Sequence, residues 1–169
     1  MTTLRNIIAD FFIKGTGFSY TNLARLFMRL FVGIMLMQFG IRHLVNFSTL
    51  AGEFPTVMGL SNQTSLILMI IIELVCSTFI MAGFLTRLAT LPAITAMCCA
   101  EYYILHDMVP DSIVYSLDTT DPGYLPIMFI GIYIFILLAG PGKISIDYFI
   151  ALFLIRERGR SEEEELEEV

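Results

Sequence analysis

Histidine, cysteine and charged side chains are all scarce in this chain, and each shortage removes a class of function. There are 2 His and 3 Cys in 169 residues, with no Cys-x-x-Cys and no Cys/His spacing suited to a structural zinc site. Disulfide-reducing chemistry that needs paired catalytic cysteines is therefore unsupported. Cys76, Cys98 and Cys99 fall in apolar sequence, where burial leaves thiols inert. Neighbouring Cys98 and Cys99 have Cα atoms about 3.8 Å apart, below the disulfide range, so they should not bridge each other, whereas a Cys76 to Cys98 bridge is conceivable. His43 and His106 both lie towards the outer ends of apolar runs, too far out for a bis-histidine haem at mid-depth. No glycine-rich phosphate loop and no basic nucleic-acid patch is present, so no metal, covalently bound cofactor or nucleic acid is expected. A cleavable signal peptide is not expected either, because residues 1–20 lack a continuous apolar core and a small-residue cleavage site.

What the chain has instead is apolar surface. Hydrophobic residues make up 56% of the sequence and the mean hydropathy is +0.76. A chain this short cannot bury four all-round hydrophobic helices in one another, so lipid must cover the remainder. A window of about 20 residues places helices at residues 23–44, 65–85, 88–106 and 124–139. The expected fold is all-α: an antiparallel bundle of four transmembrane helices. Residues 85–88 are too few for anything but a hairpin between the second and third helices. Pro110, Pro122, Gly123 and four Asp residues mark residues 107–123 as a solvated loop.

Arg42 is the one basic residue on its side of the predicted bundle. Arg5, Lys14, Arg25, Arg29, Arg87, Lys143, Arg156, Arg158 and Arg160 are on the other, which predicts that both termini are cytoplasmic. Arg25 and Arg29 are expected to snorkel to lipid phosphate. The net charge of −6 belongs to an acidic tail, since Glu162 to Glu165, Glu167 and Glu168 supply six of sixteen acids and the other ten balance ten Lys and Arg. Residues 1–22 form a cytoplasmic segment with Leu4, Ile7, Ile8, Phe11 and Phe12 at helical spacing, which suits an interfacial helix. Tyr148 to Ile155 is apolar but too short to span; it lies along the surface or packs on the bundle. Ser161 and Glu164 match a capping box in the tail.

Glu73 sits near the middle of an apolar stretch, residues 65–84. A carboxylate in hydrocarbon costs roughly 2.5 to 3.5 kcal/mol on insertion scales, so it normally faces the bundle interior and finds a partner. At a rise of about 1.5 Å per residue, Glu73 lies roughly 12 Å and Glu101 roughly 8 Å below the outer helix ends. Gln38, Arg42 and His43 of the first helix and Tyr102, Tyr103 and His106 of the third belong to the same half. Glu73 shares a face with Cys76, Ser77 and Ile80, while Cys98, Glu101, Tyr102 and Leu105 share another. If these faces meet, Glu73, His43, Arg42, Gln38, Glu101 and Tyr102 line an outward-opening ligand pocket. The competing interpretation is a structural ion pair between Glu73 and Arg42 or His43 that sets helix register. Gly33 and Gly40 lie on one face with Arg29, Leu36 and His43, a pattern for close helix packing.

The order of motifs resembles the DoxX family of small four-helix membrane proteins. The matching elements are Arg29; Gly33 to Phe47 as Gly-x6-Gly-x2-His-Leu-x2-Phe; Glu73; Gly83-Phe-Leu-Thr-Arg87; and Leu138-Ala-Gly-Pro-Gly-Lys-Ile-Ser-Ile-Asp147. In the last, Gly140, Pro141 and Gly142 stop a helix and Ser145 or Asp147 can cap the next. The resemblance spans residues 23–147 and implies a four-helix bundle of the bacterial inner (plasma) membrane. In some members it implies redox partners, either a thiosulfate:quinone oxidoreductase subunit or an assembly tied to thiol and oxidant homeostasis. On that basis quinone is the candidate ligand, and a redox protein, a second copy of the chain and the bilayer are the candidate partners. Any enzymatic role is that of a membrane oxidoreductase subunit. His43 stands where family members often have Lys, which makes the cation there conditional on protonation. The alternatives are a non-catalytic membrane subunit or assembly factor, and a small-solute transporter. The last fits worst, because the cytoplasmic halves offer mostly Leu, Ile, Met and Phe.

Overall fold

The computed structural model describes residues 20–105 and 124–157. The expected N-terminal interfacial helix, the loop containing His106, and the acidic tail with its capping box lie outside the described residues. Every described element is helical. The long helices are α1 (Thr21–Val45), α3 (Asn62–Ile71), α5 (Thr86–Ala100), α6 (Tyr124–Ala139) and α7 (Ile146–Glu157), with a short turn α2 (Phe47–Leu50) and a segment α4 (Ser77–Ala82). Helix α3 runs into α4 through a π-helical turn, Ile72–Cys76, and α5 ends in another, Glu101–Leu105.

Two stretches, Thr21–Val45 and Asn62–Ala82, are long and apolar enough to cross a membrane. Their length follows from sequence: neither contains proline, the arginines of the first (Arg25, Arg29 and Arg42) lie towards its ends, and the second carries a single charged residue, Glu73. Ser61 starts the second by accepting a hydrogen bond from the Thr64 backbone N–H at 3.3 Å. Gly83, in the left-handed conformation at φ +71°, ends it. Helix α5 tolerates Pro92 in its interior and loses one backbone bond there.

Helix α1 buries a single stripe, Arg29, Val32, Gly33, Leu36 and Gly40, while Phe27, Phe31, Ile34, Ile41 and Leu44 remain exposed on its other faces. A helix that is apolar on both its buried and its exposed sides suits a hydrocarbon solvent. The central core joins Val32, Leu36, Ile80, Ala93, Met97, Phe129, Tyr133 and Ile136. Ala89, Ala93 and Ala96 line the buried face of α5, and these small side chains let α6 approach closely. A second cluster, Phe54, Leu66, Met69, Ile70 and Ala96, packs the α1–α3 connection against α3 and α5.

Helix α7 covers the expected apolar segment 148–155 but begins two residues earlier. One face of it is covered, with Ile155 buried in its last turn, while Phe149, Phe153 and Leu154 stay exposed.

Candidate functional site

Among the described residues, both buried carboxylates occur at the two π turns. Glu73 is 2% exposed and Glu101 is fully buried, and each falls in the first turn of its π segment. An inserted residue widens the helix and re-aims the side chains beside it, a distortion that recurs at functional sites. The hydroxyls of Ser77 and Thr78 both donate to the Leu74 carbonyl, at 3.0 and 2.8 Å, and so satisfy backbone that the irregular turn disturbs.

Glu73 meets His43. Nδ1 of His43 donates to Oε2 of Glu73 at 2.7 Å, which places an α1 imidazole on the α3–α4 carboxylate. Gly40, one turn before His43, makes this approach feasible: a Cβ there would lie 2.8 Å from Leu74 Cδ2 and 3.0 Å from Glu73 Cβ. The ring of Phe54 covers His43 edge-on at a centroid distance of 6.0 Å. The His43 side chain keeps 22% of its surface exposed, so the imidazole has one face on the acid and another open.

The remaining expected lining residues separate. Adjacent positions on a helix point about 100° apart, so His43 facing Glu73 leaves Arg42 exposed. Gln38, two positions from the buried Gly40, is exposed for the same reason. Tyr102 is 61% exposed and packs edge-on against Tyr103 at 4.9 Å. The buried face of α5 steps through Ala89, Ala93 and Met97 to Glu101, not through Cys98, and that register turns Tyr102 outward while keeping Glu101 inside. Cys76, Cys98 and Cys99 are all free thiols, so the conceivable Cys76 to Cys98 bridge is not made.

Three features of the site were not anticipated from sequence: the π turns, Phe54 and Tyr133. Tyr133 is fully buried in α6, lies within electrostatic reach of Glu73 and Cys76, and its hydroxyl has no hydrogen-bond partner among the described residues. A lone hydroxyl in step with Phe129 and Ile136 was the available signal. Beside the pair, a small apolar cavity of about 90 Å³ is lined by Phe54, Met69, Ile72, Ala96 and Cys99, among others. Phe54 belongs to both the cavity wall and the cover of His43. The arrangement provides a buried acid, an imidazole able to pass a proton to it, and apolar space alongside.

A family model described as DoxX matches residues 24–107. The chain belongs to the DoxX family. It is accordingly a membrane protein. The DoxX match takes in His43, Glu73, Glu101 and the Gly83–Arg87 motif, and stops before the Gly-Pro-Gly segment. No curated protein and no solved structure matches the chain.

Arg29, the Gly83–Arg87 motif and the segment 140–147 gather at the opposite end of the bundle from the acid–imidazole pair. Arg29, expected to snorkel, is instead 1% exposed. Its Nη2 donates to the Ile144 carbonyl, and the Asp147 carboxylate is the opposite charge acting on it. The reason is local: Gly83 leaves the space that the guanidinium fills. Asp147 Oδ1 accepts from the Leu85 backbone N–H at 2.6 Å, and Oδ2 accepts from the Thr86 N–H and hydroxyl, each at 2.9 Å. Its own N–H donates to the Gly83 carbonyl at 2.9 Å. Ser145 accepts from the Tyr148 N–H at 3.1 Å. The two candidate caps thus divide the work: Ser145 caps α7, the helix it precedes, and Asp147 reaches back to cap α5.

Alanine at position 83 would place its Cβ on the Arg29 guanidinium and 2.6 Å from Ser145 Cβ, in a left-handed conformation. Gly83→Ala is expected to cost at least about 1 to 2 kcal/mol from the backbone alone. A lowered thermal midpoint of the purified protein in detergent is the readout, with Gly52→Ala, which meets no atom within 4 Å, as the control.

Proposed function

We propose that this protein is a four-span antiparallel bundle of the bacterial inner membrane, with both termini cytoplasmic, that serves a redox pathway by binding a small quinone-like amphipathic ligand at the Glu73–His43 pair. The observation that carries the proposal is the 2.7 Å contact between a 2%-exposed carboxylate and a partly open imidazole. Inside hydrocarbon, such a pair is expensive to keep. It has the same total charge whichever member holds the shared proton, so it can offer a hydrogen bond to a ligand oxygen or accept one. A quinone-like head group needs that, together with an apolar berth for its ring, and Phe54, Ile72 and the neighbouring cavity supply apolar surface. Tyr133 adds a hydroxyl from α6. The proposed sidedness is supported by Arg25, Arg87 and Lys143 collecting at the end away from the pair.

The test is binding of a short-chain quinone to the detergent-purified full chain by titration calorimetry. Wild type is expected to bind, and Glu73→Gln to weaken binding at least about tenfold by removing a charge-assisted hydrogen bond while still inserting and purifying. Equal binding by the variant, or none by the wild type, defeats the quinone reading. In the second case a non-catalytic subunit or assembly factor is the better account, with Glu73→Gln lowering recovery of a partner protein.

A further inference from the structure

At the end of the bundle remote from Glu73, a cleft of about 700 Å³ opens between the start of α1, the start of α5 and the first turns of α7. Three cations from three separate elements line it: Arg25, Arg87 and Lys143. Among the described residues, neither Arg25 nor Arg87 takes part in an ion pair. The one acid among the described residues of the wall, Asp147, has both oxygens engaged by Leu85 and Thr86 and offsets the buried Arg29. The cleft is therefore cationic.

Its shape follows from the segment 140–142. Gly140 and Gly142 have φ of +73° and +78°, which favours glycine. A Cβ on Gly140 would come within 3.2 Å of Arg87 Nη2, and one on Gly142 within 3.2 Å of Arg25 Cδ. Asn22 Oδ1 accepts from the Lys143 backbone N–H at 3.0 Å, which ties that loop to α1 and sets Lys143 beside Arg25. The loop thus holds two guanidinium side chains against bare backbone at one site.

The cleft wall also carries apolar surface: Leu85 and Leu88, both lining it, are 46% and 61% exposed. A free phosphate has no use for such a border, whereas a phospholipid does: its phosphate meets the cations and its acyl chains cover the leucines. We infer that this cleft is a binding site for the phosphate head group of an anionic phospholipid.

The experiment is native mass spectrometry of the full chain released from nanodiscs of phosphatidylcholine with and without phosphatidylglycerol. Wild type is expected to retain phosphatidylglycerol in preference to phosphatidylcholine. Arg87→Gln with Lys143→Gln should lower that retention about tenfold or more, Arg87→Lys should keep most of it, and the thermal midpoint should be unchanged within a few degrees. Equal retention of the two lipids, or undiminished retention in the double variant, overturns the proposal. Displacement of the lipid by millimolar glycerol phosphate assigns the cleft to a soluble phosphate instead. Retention that rises only when residues 158–169 are removed assigns it to the acidic tail.

Discussion

Asp147→Ala should be the most destabilising single substitution outside the apolar core. It removes the acceptors for the Leu85 and Thr86 N–H groups and for the fully buried Thr86 hydroxyl. Loss of a helix cap costs about 0.5 to 2 kcal/mol, and each buried polar group left without a partner about 1 to 3 kcal/mol. Leu85 adds to this, because it holds φ +45°, a left-handed conformation that persists only where its surroundings enforce it. Arg29 also loses its opposing charge, with Nε and Nη1 already lacking hydrogen-bond partners among the described residues. A total of at least about 3 kcal/mol is expected, or roughly 6 to 12 °C in the thermal midpoint for a chain of this size. Asp147→Asn keeps one carbonyl acceptor and should fall between wild type and Asp147→Ala. An Asp147→Ala midpoint within 2 °C of wild type, marked as roughly 1 kcal/mol or less, would show that the link from α7 to α5 carries little.

Much of this architecture was legible because one physical requirement, removal of polar groups from hydrocarbon, acts on long stretches at once. Helix α6 is expected and observed at the same residues, and the start of α1 moves by only two. The second apolar helix begins three residues before its expected start, because Ser61 caps it from the polar side of the boundary. What was not legible depends on single-residue register. Nothing in the apolar run around Glu73 or Glu101 marks a π turn, since such a turn is set by tertiary packing and not by composition. Choosing between Arg42 and His43 as the partner of Glu73 required the phase of α1, and one position of rotation decides it. Arg29 was misplaced for a related reason. Hydropathy treats an arginine near a helix end as bound for water, whereas Gly83, Ile144 and Asp147, distant in sequence, provide it with a buried seat.

The acid–imidazole pair offers the second large effect, and it separates a structural role from a binding role. Glu73→Ala alone should strand His43 and leave a cavity in a well-packed region; breaking a buried pair costs about 3 to 5 kcal/mol. His43→Phe alone should cost a comparable amount, because it leaves the 2%-exposed carboxylate without its donor. Replacing both, Glu73→Leu with His43→Phe, removes the desolvated charges together, and such exchanges are often neutral or stabilising by about 1 to 4 kcal/mol. The double variant should therefore unfold at or above the wild-type midpoint, and the cycle should give a coupling of at least about 2 kcal/mol. If the pair exists only to fix helix register, quinone binding or partner activity should return with stability in the double variant. If the pair is the binding site, stability returns and function does not. The Gly40 contact makes the comparison sharp, since Leu at position 73 presents the same Cβ to the α1 backbone as the glutamate does. Recovery of both properties in the double variant would remove the case for a ligand at Glu73.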